Sequence, residues 1–201
     1  MVHDSQTTDL QGDTKTRILD AASALFLEGG LPALSVRAIA RRAGMSTIGI
    51  YSHFQGKQGV LDALYIEGFE KVSAAMDIDL SEHGPREAIM LGMKRYIDLA
   101  EKYDAHYRLI FGEADPDYEP SPEARRAGVE AFARLIALTS SALPKDATLA
   151  EKQEFALTLW ATLHGFVRLR GNAVSQLVEI QDWRPMILDA AGRQIDAALE
   201  L

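Results

Sequence analysis

Between residues 34 and 64 the side chains able to engage a polyanion gather at helical spacing. Ser35 and Ser46 each stand before an apolar-periodic stretch, where a hydroxyl caps the start of a helix. Ala43-Gly44-Met45 separates the two stretches, and glycine suits a tight turn because it accepts a positive φ. Such a pair lets the first helix brace the second, whose exposed side chains then reach base edges in a DNA major groove. Ile39, Ala40, Ile50 and Phe54 form the inward set that locks the pair together. Thr47, Ile48, Gly49, Ser52 and His53 stay outside on the second helix. Many small helical pairs share this periodicity, so spacing alone leaves both DNA contact and plain helical packing open.

Charge adds a second indication. The 201-residue chain carries a net charge of −8, which opposes nucleic-acid affinity over the whole surface. Residues 14–57 depart from that average, with Lys15, Arg17, Arg37, Arg41, Arg42 and Lys57 against only Asp20 and Glu28. A short basic segment on an acidic body is the distribution of a DNA-reading module joined to a second domain, and equally of one solvated face.

Other chemistries find no residues to carry them. The chain has no cysteine, which removes disulfides, thiolate nucleophiles and cysteine-held metals. It has no His-x-x-x-His or Glu-x-x-His pattern, no Gly-x-Ser-x-Gly elbow and no phosphate-binding glycine loop. No catalytic residue, no metal site and no cofactor is therefore expected. The apolar fraction of 47% is enough for a sizeable core. No uncharged apolar run is long enough to span a bilayer. Residues 1–13 hold three aspartates and no Lys or Arg, unlike a secretory leader. The expected address is cytoplasmic, with no membrane partner.

The elements that must position these residues are helical throughout. Apolar spacing at Ile18, Leu19, Ala22, Leu25 and Phe26 predicts a first helix, capped by Asp13 or Thr14 and ended by Gly29-Gly30. Further helices are expected over 35–43, 46–54, 57–76 and 85–102, the last with Pro85 in its first turn. Others should follow over 105–113, 121–143 and 148–170, where Thr148 and Glu151 have capping-box spacing. Asp182 should cap a final helix to about residue 199. The acidic, proline-containing run 113–123 reads as a solvated loop. The fold class is all-α, with about nine helices. The division expected is a flexible acidic arm (1–13), a three-helix DNA-binding domain (14–57) and a helical bundle for ligand binding and dimerisation (58–201). The helix from Lys57 should be the only element sharing both cores.

The segment from Ser35 to Ser46, Ser35-Val36-Arg37-Ala38-Ile39-Ala40-Arg41-Arg42-Ala43-Gly44-Met45-Ser46, followed by Ile50-Tyr51-Ser52-His53-Phe54-Gln55-Gly56-Lys57, closely resembles the DNA-binding signature of the tetracycline-repressor-like (TetR) transcriptional regulators. Arg17 to Ala22 with Leu25-Phe26 resembles that family's first helix. Trp160, His164 and Gly165 resemble the Trp–His–Gly signature of one subgroup's C-terminal domain. The resemblance implies a repressor that binds a palindromic double-stranded operator as a homodimer and is released by a small hydrophobic effector. It places Tyr51, His53 and Lys57 at phosphates and Thr47, Ile48, Gly49 and Ser52 at bases, with Ser35, Arg37 and Ser46 completing the DNA-binding set. Ser35 stands where a threonine is common. Ile48 offers no hydrogen bond and suits a thymine methyl. Gly49 would let the helix backbone approach the groove.

In the C-terminal body the resemblance implies an effector pocket, for which Met93, Tyr96, Tyr107, Phe111, Phe132, Trp160 and His164 are the candidates. It also implies pairing through the last two helices. The candidate dimer face carries Val167, Trp183, Ile187, Ala191, Ile195 and Ala198. The same residues could instead cover the protein's own core. The acidic body keeps a second function open, a helical small-molecule-binding protein without specific DNA binding.

Overall fold

Residues 4–111, 118–170 and 182–200 are described by a computed structural model of the chain, with side chains from residue 13 onward. Among them are nine α-helices and no strand: α1 (Asp4–Gly29), α2 (Val36–Arg42), α3 (Thr47–Phe54), α4 (Lys57–Met76), α5 (Pro85–Lys102), α6 (Asp104–Phe111), α7 (Pro122–Thr139), α8 (Leu149–Arg170) and α9 (Arg184–Leu199). Short 3-10 turns cover Leu31–Ala33 and Ser140–Ala142.

Local chemistry explains most boundaries. Thr148 and Glu151 form the expected capping box, with Thr148 N donating to Glu151 Oε2 at 2.7 Å and Glu151 N to Thr148 Oγ1 at 3.3 Å. Helix α7 ends earlier than expected. The hydroxyls of Thr139 and Ser140 donate back to the carbonyls of Leu135 and Ile136 at 2.9 and 2.6 Å, and the chain tightens into a 3-10 turn. The expected caps at Asp13 and Thr14 are not used, because α1 already begins at Asp4. Residues 4–13 are helical rather than a flexible arm. No proline interrupts them. Residues 1–3 and 113–117, parts of the expected arm and acidic loop, lie outside the described residues.

The chain forms two compact units, Met1–Phe69 with Tyr103–Gly128, and Glu70–Lys102 with Val129–Leu201. Helix α4 is not the only element divided between them, because α7 is divided as well. The grouping differs from a cut after residue 57. The three helices α1 to α3 bury little surface alone. In the first unit the core of Ile18, Phe26, Leu34, Ile39 and Ile50 is completed by Val60, Leu61 and Leu64 of α4 and by Ala105 and Leu109 of α6. The Arg108 guanidinium lies 5.3 Å from the centre of the Phe26 ring, a cation–π contact between α6 and α1.

The second unit packs α9 against α5 and α8. Ile89, Met93, Tyr96 and Ile97 of α5 and Leu159 and Leu163 of α8 are all buried. Arg184 of α9 bonds Asp98 at 2.6 Å and also Glu101, and Glu101 in turn pairs with Arg170 of α8. These exposed pairs contribute little stability each but fix which turns lie side by side. The expected dimer face needs correction here. Ile187, Ala191, Ile195 and Ala198 are buried within the protomer, and only Val167 and Trp183 stay half-exposed. An apolar stripe reads identically in sequence whether it covers the chain's own core or a partner.

Candidate nucleic-acid interface

Two serine caps and one arginine build the helix-turn-helix. Ser35 Oγ accepts from Ala38 N at 3.1 Å and Ser46 Oγ accepts from Gly49 N at 3.3 Å, which starts α2 and α3. Both hydroxyls use a lone pair for the cap, so both protons remain able to donate to a phosphate oxygen. Between the helices Gly44 has φ +67°, and Met45 N returns to Ala40 O at 2.9 Å. Arg17 of α1 donates to Ala43 O, the C-cap carbonyl of α2, at 2.6 Å and so pins the turn from outside. Arg42 forms a two-pronged pair with Glu28 at 2.6 and 3.0 Å. That hydrogen-bonded pairing holds the Glu28 carboxyl below its usual range and raises the Arg42 guanidinium. Two of the six basic residues in this segment therefore serve the fold. Lys15, Arg37 and Arg41 are exposed, and Lys57 opens α4 half-exposed.

Helix α3 presents an apolar-and-hydroxyl surface. Ile50 is fully buried beneath it, while Ile48 is 77% and Tyr51 57% exposed. Ser52 is exposed and its hydroxyl donates to Gly49 O at 3.0 Å. Thr47, Gly49 and His53 are half-exposed. Helix α3 closes with Gln55 in the left-handed region at φ 59°. The Tyr51 ring lies over the next residue, where a Cβ on Gly56 would come within 3.3 Å of it. Tyr51 and Lys57 are thus held at one short turn. Helix α4 begins in close approach to α3, because a Cβ on Gly59 would fall 1.7 Å from Phe54 O.

Gly49 is the opposite case. Alanine there would meet nothing closer than Met45 Sδ at 3.4 Å, an ordinary contact. Glycine inside a helix costs about 1 kcal/mol relative to alanine. Internal packing therefore does not require it, and the bare backbone faces outward. Gly49→Ala should stabilise the chain by about 0.5–1 kcal/mol in urea unfolding while weakening DNA binding in a mobility-shift assay. Equal or tighter binding by this variant would show that nothing approaches the backbone here.

Two structural features of this unit had no local signal. The contact of Arg17 with Ala43 spans 26 residues, and no short motif announces it. Asp62 of α4 accepts from Tyr118 Oη at 2.8 Å and from Ser121 N at 3.1 Å, and Gln58 Nε2 donates to Glu119 O at 2.7 Å. Residues 118–121, expected as part of a solvated loop, are thus strapped to α4.

The expected effector residues fall into two groups. In the second unit Trp160 Nε1 donates to Tyr96 Oη at 3.0 Å, and the Trp160 ring lies 6.1 Å from both Phe132 and His164. Met93 and Tyr96 are buried. Burial, then the charge of Arg168, lowers the His164 pKa, which favours a neutral imidazole. Tyr107 and Phe111 belong to the other unit, where their rings pack 5.1 Å apart and Phe111 meets Phe69 at 5.8 Å. A separate groove of about 620 Å³ lies along Leu143, Phe155, Thr158, Gln194 and Ala197. None of the seven candidates lines it. Among the described residues no three His, Asp or Glu side chains are placed to hold a metal, and no helix is long and apolar enough to cross a membrane.

Comparison with known proteins agrees with this geometry. The family described as bacterial regulatory proteins, tetR family, matches residues 18–64, and the tetracyclin repressor-like C-terminal domain matches residues 90–179. TtgW, an uncharacterised HTH-type transcriptional regulator of Pseudomonas putida, is 33% identical over 81 residues, which are 40% of this chain and 60% of that protein. The HTH-type transcriptional repressor KstR2 of Rhodococcus jostii is 42% identical over 55 residues, 27% of this chain and 26% of that one. Each match thus spans less than two thirds of the relative's length. The solved structure of PfmR, a TetR family transcriptional regulator from Thermus thermophilus, shares the fold with a TM-score of 0.64 at 19% identity, covering 92% of this chain and 97% of that one. With a helix-turn-helix under the first family match and a helical body under the second, the chain belongs to the TetR family of bacterial regulatory proteins.

Proposed function

We propose that this chain is a transcriptional regulator that binds operator DNA through α3, represses, and is released by a small apolar effector. The observation that carries this reading is α3 itself. It is capped by Ser46, pinned from behind by the Arg17-clamped turn, and presents Ile48, Tyr51 and Ser52 outward. A surface helix of a monomer that did no recognition would show a polar face there. Ser35, Ser46, Tyr51, His53 and Lys57 serve phosphates, and Thr47, Ile48, Gly49 and Ser52 serve bases. Repression is supported by the likeness to KstR2, a transcriptional repressor.

The regulator acts as a homodimer on a palindrome, with two copies of α3 about 34–36 Å apart or a multiple of that. The pairing surface is the outward side of α8. Leu157 and Ala161 are exposed there, and nothing lies within 4 Å of a Cβ built on Gly165. The effector is taken up in the second unit beside Trp160, with Tyr96 and His164 as polar groups.

A salt-titrated mobility shift tests the DNA reading. Lys57→Ala should weaken binding by a similar factor on every duplex and lower the salt slope by about one counterion per subunit. Loss of sequence preference with an unchanged salt slope would remove Lys57 from the phosphate contacts. A wild-type chain that binds no duplex better than random DNA would leave the small-molecule-binding reading in its place.

A further inference from the structure

We propose that α3 selects its operator half-site by a pyrimidine C5-methyl group next to an amino donor, and does not hold guanine through a hydrogen-bond fork. This rests on the DNA-binding role above and names the base chemistry which that role requires.

Three observations carry it. Helix α3, Thr47–Phe54, contains no Arg, Lys, Asn or Gln. These are the side chains that pair two-pronged with guanine or adenine in the major groove, arginine on guanine being the commonest specific contact. The second observation is Ile48. It is the most exposed large hydrophobic among the described residues, at 77%. A branched aliphatic side chain at the crest of a reading helix complements one feature of the major groove, the methyl group on C5 of thymine. Thr47, one residue earlier and half-exposed, brings a second methyl to the same end of the helix. Gly49 beside it adds no side chain that would hold Ile48 away from the base.

The third observation concerns a proton. The Ser52 hydroxyl donates to Gly49 O at 3.0 Å. A hydroxyl has one proton, so Ser52 turns only lone pairs outward. It can accept from adenine N6 or cytosine N4. It cannot donate to guanine O6 or N7 without breaking its bond to the helix. An A·T pair shows both features in the major groove, a methyl on thymine and an amino group on adenine. A G·C pair has the amino group of cytosine but no methyl.

Cytosine methylated at C5 carries both features on one base. It should therefore substitute for thymine at the position under Ile48, although the Watson–Crick partner is changed.

The test uses the full chain. Duplexes with a randomised centre are enriched by repeated binding, and the preferred sequence is measured by fluorescence anisotropy at one salt concentration. Each thymine of the half-site is then replaced by deoxyuridine, which removes only the methyl. At one position the replacement should weaken binding about fourfold per half-site, the worth of one buried methyl. Changing that T·A pair to C·G should weaken binding more, and 5-methylcytosine in the C·G duplex should recover most of the methyl's share. Ile48→Ala, a substitution at an exposed site, should bind the thymine and deoxyuridine duplexes alike. Equal binding of thymine and deoxyuridine duplexes at every position overturns the proposal. So does full discrimination by Ile48→Ala, or a guanine whose replacement by 7-deazaguanine abolishes binding while no methyl matters. If no duplex is enriched at all, the DNA-binding role itself fails, a result distinct from binding without methyl preference.

Discussion

Gly59→Ala is expected to cost the first unit about 3 kcal/mol and to abolish DNA binding together with it. The methyl group would fall 1.7 Å from Phe54 O, a backbone atom that cannot rotate aside. Either the last turn of α3 or the first turn of α4 must shift. Both are anchored, α3 by the buried Ile50 and α4 by Val60 and Leu61, which are at most 1% exposed. A shift that relieves the clash pulls one of these out of the core, and loss of a buried aliphatic side chain costs about 2–5 kcal/mol. Urea unfolding measures the first effect and a mobility shift the second. The contrast with Gly49→Ala is the sharper check. The same methyl added at that earlier glycine should raise stability rather than lower it. Identical urea midpoints for Gly59→Ala and the parent would mean that α4 does not begin in contact with the end of α3.

Asp62→Ala is expected to destabilise the same unit by about 2–3 kcal/mol. Its carboxylate accepts from Tyr118 Oη at 2.8 Å and from Ser121 N at 3.1 Å. Hydrogen bonds to a charged group are worth about 1.5–3 kcal/mol each before solvent exposure reduces them. Ser121 also caps α7 through Ala124 N at 3.1 Å, so the loss reaches the start of that helix. Tyr118→Phe removes one of the bonds and should cost about 1 kcal/mol. Alkali separates the two variants. Burial, then the bond to Asp62 and its charge, raises the Tyr118 phenol well above its usual range. Because the folded state holds the neutral phenol, this stabilisation is complete below the unfolded value of about 10 and declines as pH climbs above it. Stability of the parent should fall with pH beyond that point. The fall should be shallower in Asp62→Ala and absent for this group in Tyr118→Phe. Parallel alkaline profiles for all three proteins would sever Tyr118 from Asp62.

Local signals made much of this legible. Ser35, Ser46, Thr148 with Glu151, and Pro85 each act within one turn of their own position, and the structure uses all four as the sequence indicates. The outward set on α3 was legible for the same reason, since Ile50 must face in if Ile39 does. What the sequence did not show was set by distant partners. Arg17 looks like any basic residue near a candidate DNA face until Ala43 O is found beside it. Ile187 and Ile195 mark an apolar stripe without saying which surface covers it. Tyr107 and Trp160 are equally aromatic, yet only three-dimensional grouping assigns them to different units. Asp13 and Thr14 offer a cap that goes unused, because α1 already begins at Asp4.

The discontinuity of the first unit limits how such a protein can be recombined. Exchanging reading heads between relatives by a single crossover before α4 would transplant residues 1–56 onto a foreign α4 and α6. Ile18 and Phe26 would then face a Leu61, Ala105 and Leu109 surface shaped for another partner. A viable chimaera has to carry two segments at once, the first through Phe69 and the second from Tyr103 to Gly128.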